Sequence, residues 1–249
     1  MKLFDFLSGR KNREKTLGAG ASVPKHIAFI CDGNRRWAKE RLLPPLEGHR
    51  AGIKNFEGLV DWFVARGVET VSFFIFSTEN WDRSKDEIDF LMRLFIEELT
   101  HNLKHAVEKN LRYKVIGSRD RIPKELADLC DELEEKSKGG TKGTVVFALN
   151  YGGRDEIARA VEKSGAGFRS EMDTADLPDI DMMVRTSNER RISNFMLWKL
   201  AYAELYFIKP HWPELVKSEK LWRDILDEFA RRNRRFGGGI EKNYSGNKV

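Results

Sequence analysis

Cysteine is scarce in this chain. Of 249 residues only Cys31 and Cys130 carry thiols, without the spacing of metal ligands, which argues against a zinc site and for a reduced, cytosolic compartment. Long apolar runs are missing too: no stretch approaches the roughly 20 residues of a membrane span. The first seven residues lack the basic start and long apolar segment of a secretory leader. The phosphate loop G-x-x-x-x-G-K-[ST] does not occur, and Gly18-Ala19-Gly20 and Gly165-Ala166-Gly167 lack the third glycine and preceding strand of a dinucleotide fingerprint. The five histidines are scattered; His49, after Gly48 at a helix start, suits capping or core packing as well as ligand binding. Trp37 and Trp81 lie in polar loops with no basic stripe around them, which argues against a nucleic-acid partner.

What is present is a chain that can bury a substantial core, 41 % hydrophobic and 33 % charged, with one α/β domain as the simplest fit. A net charge of +5 favours an anionic partner without naming its class. Strand-like and helix-like segments alternate. Apolar runs at residues 26–31, 70–76, 113–116, 144–149 and 182–185 read as strands. Helical spacing marks Ile53, Phe56, Leu59, Val60, Phe63 and Val64, stopping at Gly67, then residues 88–107, 123–136 and 155–163. Such alternation predicts a mostly parallel sheet with helices on both faces, where ligands sit beyond the carboxyl ends of strands. Polar clusters fall at those ends, at residues 32–36, 77–83, 150–154 and 185–193. Near the start, Leu3, Phe4, Phe6 and Leu7 precede Arg10, Lys11 and Arg13, a pattern that fits a terminal helix packed on the body or a weak interfacial one.

The first polar cluster, Asp32-Gly33-Asn34-Arg35-Arg36-Trp37, follows a strand where a helix should begin. Gly33 and Asn34 tolerate the tight backbone that turns amide groups toward an anion, and Arg35 and Arg36 offer planar donors to phosphate oxygens. Asp32 repels phosphate unless a hard cation such as Mg²⁺ lies between them, so the group suggests a metal-bridged polyphosphate; a plain turn with Asp32 as N-cap is the alternative. The loop at residues 185–195 packs Arg185, Arg190 and Arg191 among hydroxyl and amide groups, a second anion site or a solvated basic loop. Downstream, Glu204 is conspicuous in an apolar stretch, and either reaches solvent or meets a cation, the latter raising the idea of a metal shared with Asp32. No DDxxD motif appears, which argues against the all-helical prenyl synthases and terpene cyclases.

In order along the chain, CDGNRRWA, EGHRAG, FSTENWDRS, NYGGR, VRTSNERRISNFMLWKLAYAELYF and RRFGG resemble the motifs of the cis-prenyltransferases, the undecaprenyl and dehydrodolichyl diphosphate synthases. The resemblance spans residues 24–238, leaving 1–23 as an N-terminal extension or short helix and 239–249 as a flexible tail. It implies a single α/β domain with a parallel six-stranded sheet, a hydrophobic tunnel and usually a homodimer. It implies a Mg²⁺-dependent enzyme that condenses isopentenyl diphosphate with an allylic prenyl diphosphate in the cytoplasm, touching the inner membrane face through its lipid product. By the same resemblance Asp32 holds Mg²⁺ with Glu204 as a second acidic position, and Gly33, Asn34, Arg35, Arg36 and Trp37 cradle the allylic diphosphate. Arg185, Arg191 and Ser193 would hold the second diphosphate; His49, Ser77, Asn80, Trp81 and Arg83 would line the pocket, with Asn80 one option for receiving the proton. Residues 234–238 match a segment that in relatives completes the neighbouring subunit's site.

Some positions depart from the family pattern. Ser187-Asn188 stand where relatives have Gly-Gly, Pro45 where many carry an arginine, and Ile75 where long-chain enzymes have a small residue. The connection from 155 to 185 is also shorter. These leave two alternatives: transfer to another acceptor, such as a second allylic diphosphate, or a non-catalytic isoprenoid-binding subunit. Retention of Asp32, both arginine clusters and Glu204 argues against the subunit.

Overall fold

A computed structural model describes residues 22–54 and 56–232. The N-terminal segment, residues 234–238 and the tail lie outside the described residues. Six strands, β1 (His26–Ile30), β2 (Thr70–Ser77), β3 (Leu111–Ile116), β4 (Gly143–Tyr151), β5 (Met182–Arg185) and β6 (Glu204–Phe207), form one sheet in the order β3-β4-β2-β1-β5-β6, every pair parallel. Burial on both faces explains why β1 is apolar from Ile27 to Ile30 rather than alternating. The intervening helices are α1 (Asn34–Glu40), α2 (Pro45–Ile53), α3 (Phe56–Val64), α4 (Lys85–Lys109), α5 (Lys124–Ser137), α6 (Gly153–Ser164), α7 (Trp212–Leu215) and α8 (Glu219–Arg231).

Ile27, Phe29, Val71 and Phe73 pack into the larger core against α3, α4, α5 and α8, with Phe29 and Phe73 stacked at 5.5 Å between ring centres. Ala28, Ile30, Val146 and Met183 meet Tyr151, Phe195 and Met196 on the other face, which turns and short segments cover more than helices do. Thus the expectation of helices on both faces holds fully for one face only.

The helical run expected from Ile53 to Val64 is broken. Lys54 adopts ψ 124° and ends α2, and α3 restarts at Phe56. Close packing explains the redirection: a Cβ at Gly48 would lie 1.9 Å from the Asn34 carbonyl, and one at Gly52 would lie 2.7 Å from Trp212. The two glycines therefore let α2 lie against α1 and α7 at backbone contact distance. β6 was not apparent from periodicity, because four residues at a sheet edge carry too little pattern.

Candidate active site

Asp32 is held at the carboxyl end of β1 through its own backbone. Its N–H donates to Thr186 Oγ1 (3.0 Å), and its carbonyl accepts from Thr186 Oγ1 (2.6 Å), Ser187 Oγ (3.0 Å) and the Trp212 N–H (3.0 Å). Gly33 follows with φ 98°, and a Cβ there would meet Ser187 Oγ at 1.8 Å, so backbone conformation and space both require glycine. The side chain of Asp32 joins the two arginine clusters. Arg36 Nη2 donates to one carboxylate oxygen (2.9 Å) and Arg185 Nη2 to the other (2.9 Å). Burial by itself would raise the Asp32 carboxyl; the hydrogen bond and charge of Arg185, helped by Arg36, outweigh it and hold the group below the usual carboxylate range.

Around this carboxylate the cations are paired with acids that an anion could replace. Glu189 bridges Arg36 (2.7 Å) and Arg191 (2.5 Å). Glu87, nearly buried, accepts from Arg83 (3.0 Å) and lies 3.7 Å from Arg35 and 3.6 Å from His49 Nε2. Arg185 also donates to the Arg191 carbonyl (2.6 Å) and Ser193 Oγ (2.7 Å), while its Nε is buried without a hydrogen-bond partner, as is Asn34 Oδ1. The polar segment after β2 is organised by Ser77 and Asn80: Asn80 Oδ1 accepts the Ser77 N–H (3.1 Å), and the pair caps a 3₁₀ turn over Thr78–Asp82.

These groups open onto a cavity of about 1260 Å³ whose lining is predominantly apolar, with Ile53, Phe56, Ile75, Leu91, Phe95 and Phe147 among its walls. That exceeds the several hundred cubic ångström typical of a drug-sized ligand. Asp32, Gly33, Asn34, Arg35, Arg36, His49, Ser77, Asn80, Arg83, Arg185, Arg191 and Ser193 all line it. Three expected site residues do not.

Trp37 lies outside the lining, under Arg41 (4.5 Å) and Lys217 (5.7 Å). Trp81 donates to Asn150 Oδ1 (2.7 Å), packs on Phe76 and carries Arg121 on its face (4.5 Å), bracing the 3₁₀ turn. Glu204 starts β6 level with Met182 and Ile27, at the opposite end of the sheet from Asp32, and accepts from Arg232 (2.9 Å). Within one chain it is not a second metal ligand beside Asp32. Glu87, Glu189 and His211, which shares a hydrogen bond with Ser187 Oγ (2.6 Å) and meets Glu40 (2.9 Å), were not singled out from the sequence; the one available signal was Glu87 four residues after Arg83, at the start of a helical run.

The sequence model of the family described as undecaprenyl diphosphate synthase matches residues 30–237. The chain belongs to that family. Among curated members it is 38 % identical over 231 residues to an isoprenyl transferase of Thermotoga maritima, covering 88 % of this chain and 98 % of that one. It is 41 % identical over 245 residues to a ditrans,polycis-undecaprenyl-diphosphate synthase of Pseudomonas putida, covering 92 % and 97 %. Among solved structures it superposes on lavandulyl diphosphate synthase from Lavandula x intermedia, in complex with dimethylallyl diphosphate, with a TM-score of 0.80, 31 % identity and 86 % and 98 % coverage. The chain is accordingly a prenyltransferase with the family's single six-stranded α/β sheet.

Such synthases generally use a divalent metal. Among the described residues no three His, Cys, Asp or Glu side chains form a metal cage. The Asp32 carboxylate at the cavity mouth is the kind of single oxygen ligand a hard divalent ion such as Mg²⁺ takes together with substrate phosphates and water. The departures from the family pattern also have a structural reading. Ser187 (φ 68°) and Asn188 (φ 56°) keep the left-handed backbone that a glycine pair would favour, and the Ser187 side chain turns beneath Gly33. Pro45 opens α2 on the cavity wall, where it supplies no cation.

Proposed function

We propose that this prenyltransferase joins an allylic prenyl diphosphate to isopentenyl diphosphate head to tail, giving a Z-configured polyprenyl diphosphate. The observation that carries this reading is one carboxylate, Asp32, shared by two arginine clusters at the mouth of a large apolar cavity. Arg35, Arg36 and Arg83 suit the allylic diphosphate, with its hydrocarbon in the cavity acting as a tunnel; Arg185, Arg191 and Ser193 suit the second diphosphate. Asp32 would hold Mg²⁺, which when bound supplies positive charge for the departing diphosphate. Arg36 and Arg191 exchange Glu189 for phosphate oxygens, and their preorganised charge counts most as the allylic C–O bond breaks. Apolar walls keep water from the allylic cation, leaving the double bond of the neighbouring substrate as the nucleophile, and the coupled cation then loses a proton from the carbon beside it to give the new Z double bond.

Head-to-tail elongation is favoured over coupling of two allylic diphosphates because the curated relatives at 38 and 41 % identity, covered almost to their full length, are an isoprenyl transferase and an undecaprenyl-diphosphate synthase. Two further parts of the reading rest on surface features. Trp198, Tyr202 and Leu205 are exposed beside the edge strand β6, which supports a homodimer formed across that edge, readable as twice the chain mass in solution. No helix among the described residues is long and apolar enough to cross a membrane; we place the enzyme in the cytoplasm, meeting the membrane through its lipid product. Purified protein given labelled isopentenyl diphosphate, Mg²⁺ and primers of several lengths should build longer labelled chains, and chelation should stop it. Coupled products without added isopentenyl units, or tight binding without turnover, would overturn the elongation reading. Ile75→Ala, which widens the wall behind Ser77, should lengthen the products.

A further inference from the structure

Helix α1 presents Arg35 and Arg36 from its first turn, and side chains from two distant segments support it from below. A Cβ at Gly33 would lie 1.8 Å from Ser187 Oγ and 2.5 Å from His211 Nδ1. Those two side chains are thus the floor under the turn that leads from Asp32 into the helix. His211 Nδ1 lies 2.6 Å from Ser187 Oγ, and its Nε2 lies 2.9 Å from Glu40 Oε1, on the last residue of α1. From Gly33 to Glu40 is about two helical turns, and a helical side chain leans toward the amino end. Glu40 therefore reaches back along the helix, and a single imidazole joins the beginning of α1 to its end.

Proton accounting fixes the direction of the chain. A carboxylate only accepts, so Nε2 carries a proton toward Glu40, and in the neutral ring Nδ1 is then the acceptor. The single proton of the Ser187 hydroxyl is shared between Nδ1 and the Asp32 carbonyl (3.0 Å), and the shorter contact is the one to the ring. The hydrogen bond from His211 holds the Glu40 carboxyl below its ordinary value. A second brace fixes the His211 backbone: Glu214 accepts the His211 N–H (2.9 Å) and an Arg41 N–H (3.0 Å) at the carboxyl end of α1. Serine, histidine and acid in a chain is also the order of a hydrolytic triad. Here Ser187 is 7 % exposed, and neither it nor His211 lines the cavity. The chain can act only through what it supports.

We propose that His211 is a positioning residue for the allylic diphosphate: through Ser187 and Glu40 it sets the angle at which α1 presents Arg35, Arg36 and the Gly33 turn to the cavity. The inference rests on the assignment of the allylic diphosphate to this helix. Arg185 of the second diphosphate site is held instead by Asp32, Ser193 and the Arg191 carbonyl. Loss of the strut should therefore fall on one substrate.

His211→Leu removes both hydrogen bonds of the ring, Glu40→Ala removes one, and Glu40→Gln keeps an acceptor at the same reach. With Mg²⁺ and the full chain, KM for farnesyl diphosphate should rise about tenfold in His211→Leu and about fivefold in Glu40→Ala, while KM for isopentenyl diphosphate stays within about twofold of wild type. The double variant should be no worse than His211→Leu, because two ends of one strut do not add; Glu40→Gln should match wild type. Calorimetric binding of farnesyl thiolodiphosphate should give the same order without turnover. Equal rises for both substrates, additive effects of the two variants, or unchanged allylic affinity in folded His211→Leu would overturn the inference and leave the function standing. Should His211→Leu fail to fold, Glu40→Ala against Glu40→Gln decides the matter. No elongation by wild type, with analogue binding still weakened in His211→Leu and Glu40→Ala, would overturn the function and leave the inference standing.

Discussion

At the amino ends of the strands, His26 is fully buried with both ring nitrogens occupied, by Ser72 Oγ (2.7 Å) and the Pro178 carbonyl (2.9 Å). At the carboxyl ends, by contrast, Arg185 Nε and Asn34 Oδ1 are buried without a hydrogen-bond partner, and His49 Nε2 has only the Glu87 carboxylate at 3.6 Å. The backbone differs in the same sense: Ser187, Asn188, Ser193, Asn194 and Met196 all have positive φ in the loop that carries the second arginine cluster. Left-handed conformations and unmade hydrogen bonds each disfavour the ligand-free fold, and among these groups the Arg185 Nε–H is a donor that an anion could complete. The two ends thus differ: His26 has both ring nitrogens paired, whereas Arg185 keeps one buried donor free.

The contrast can be broken most severely at Asp32. Asp32→Ala should lower turnover on the order of 10³-fold, since it would remove the proposed metal anchor and removes the partner of Arg185, while the far-UV circular dichroism stays that of the wild type; near-normal rates would remove its proposed role. Next in size is Arg185→Lys, which keeps the charge but loses the planar fork joining Asp32, Ser193 and the Arg191 carbonyl. Steady-state kinetics should show kcat/KM for isopentenyl diphosphate falling roughly 10²-fold.

At the satisfied end the expected effect is on stability. Burial lowers His26 from 6.5 to about 4. The unfolded chain thus binds the proton more readily than the folded one, and the stability present above pH 6.5 is lost as pH falls toward 4. At about 1.4 kcal/mol per unit the loss approaches about 3 kcal/mol. Denaturant titrations across that window should show it, and His26→Gln should flatten the dependence.

The smallest effect concerns a left-handed residue outside the loop. Leu42 (φ 55°, 95 % exposed) sits just past α1, where its N–H and that of Leu43 return to the Lys39 and Ala38 carbonyls. Leu42→Gly should raise stability by about 0.5–1 kcal/mol, because glycine takes this conformation freely and little packing is lost; thermal unfolding would read it.

Much of this site was legible because its chemistry is local. The buried run of β1, Gly33 and the arginines that follow form one continuous segment, and so does the loop from Arg185 to Ser193. Trp37 and Trp81 misled for a physical reason: an indole in a polar loop looks available, yet Arg41 covers one and Arg121 the other. Glu87 and Glu189 went unnoticed because a carboxylate among many reveals its role only through the cations it meets, and those come from distant segments.

The sequence by itself determined the alternation of strand and helix, the parallel sheet and the types of side chain gathered at strand ends, since these follow from apolar spacing and from the backbone limits of single residues. Only the tertiary structure decided that Asp32 stands between Arg36 and Arg185, that Glu204 belongs to the other end of the sheet, and that His211 joins Ser187 to Glu40. Each depends on strand order, register and helix direction, and those are set by packing among residues far apart in the chain.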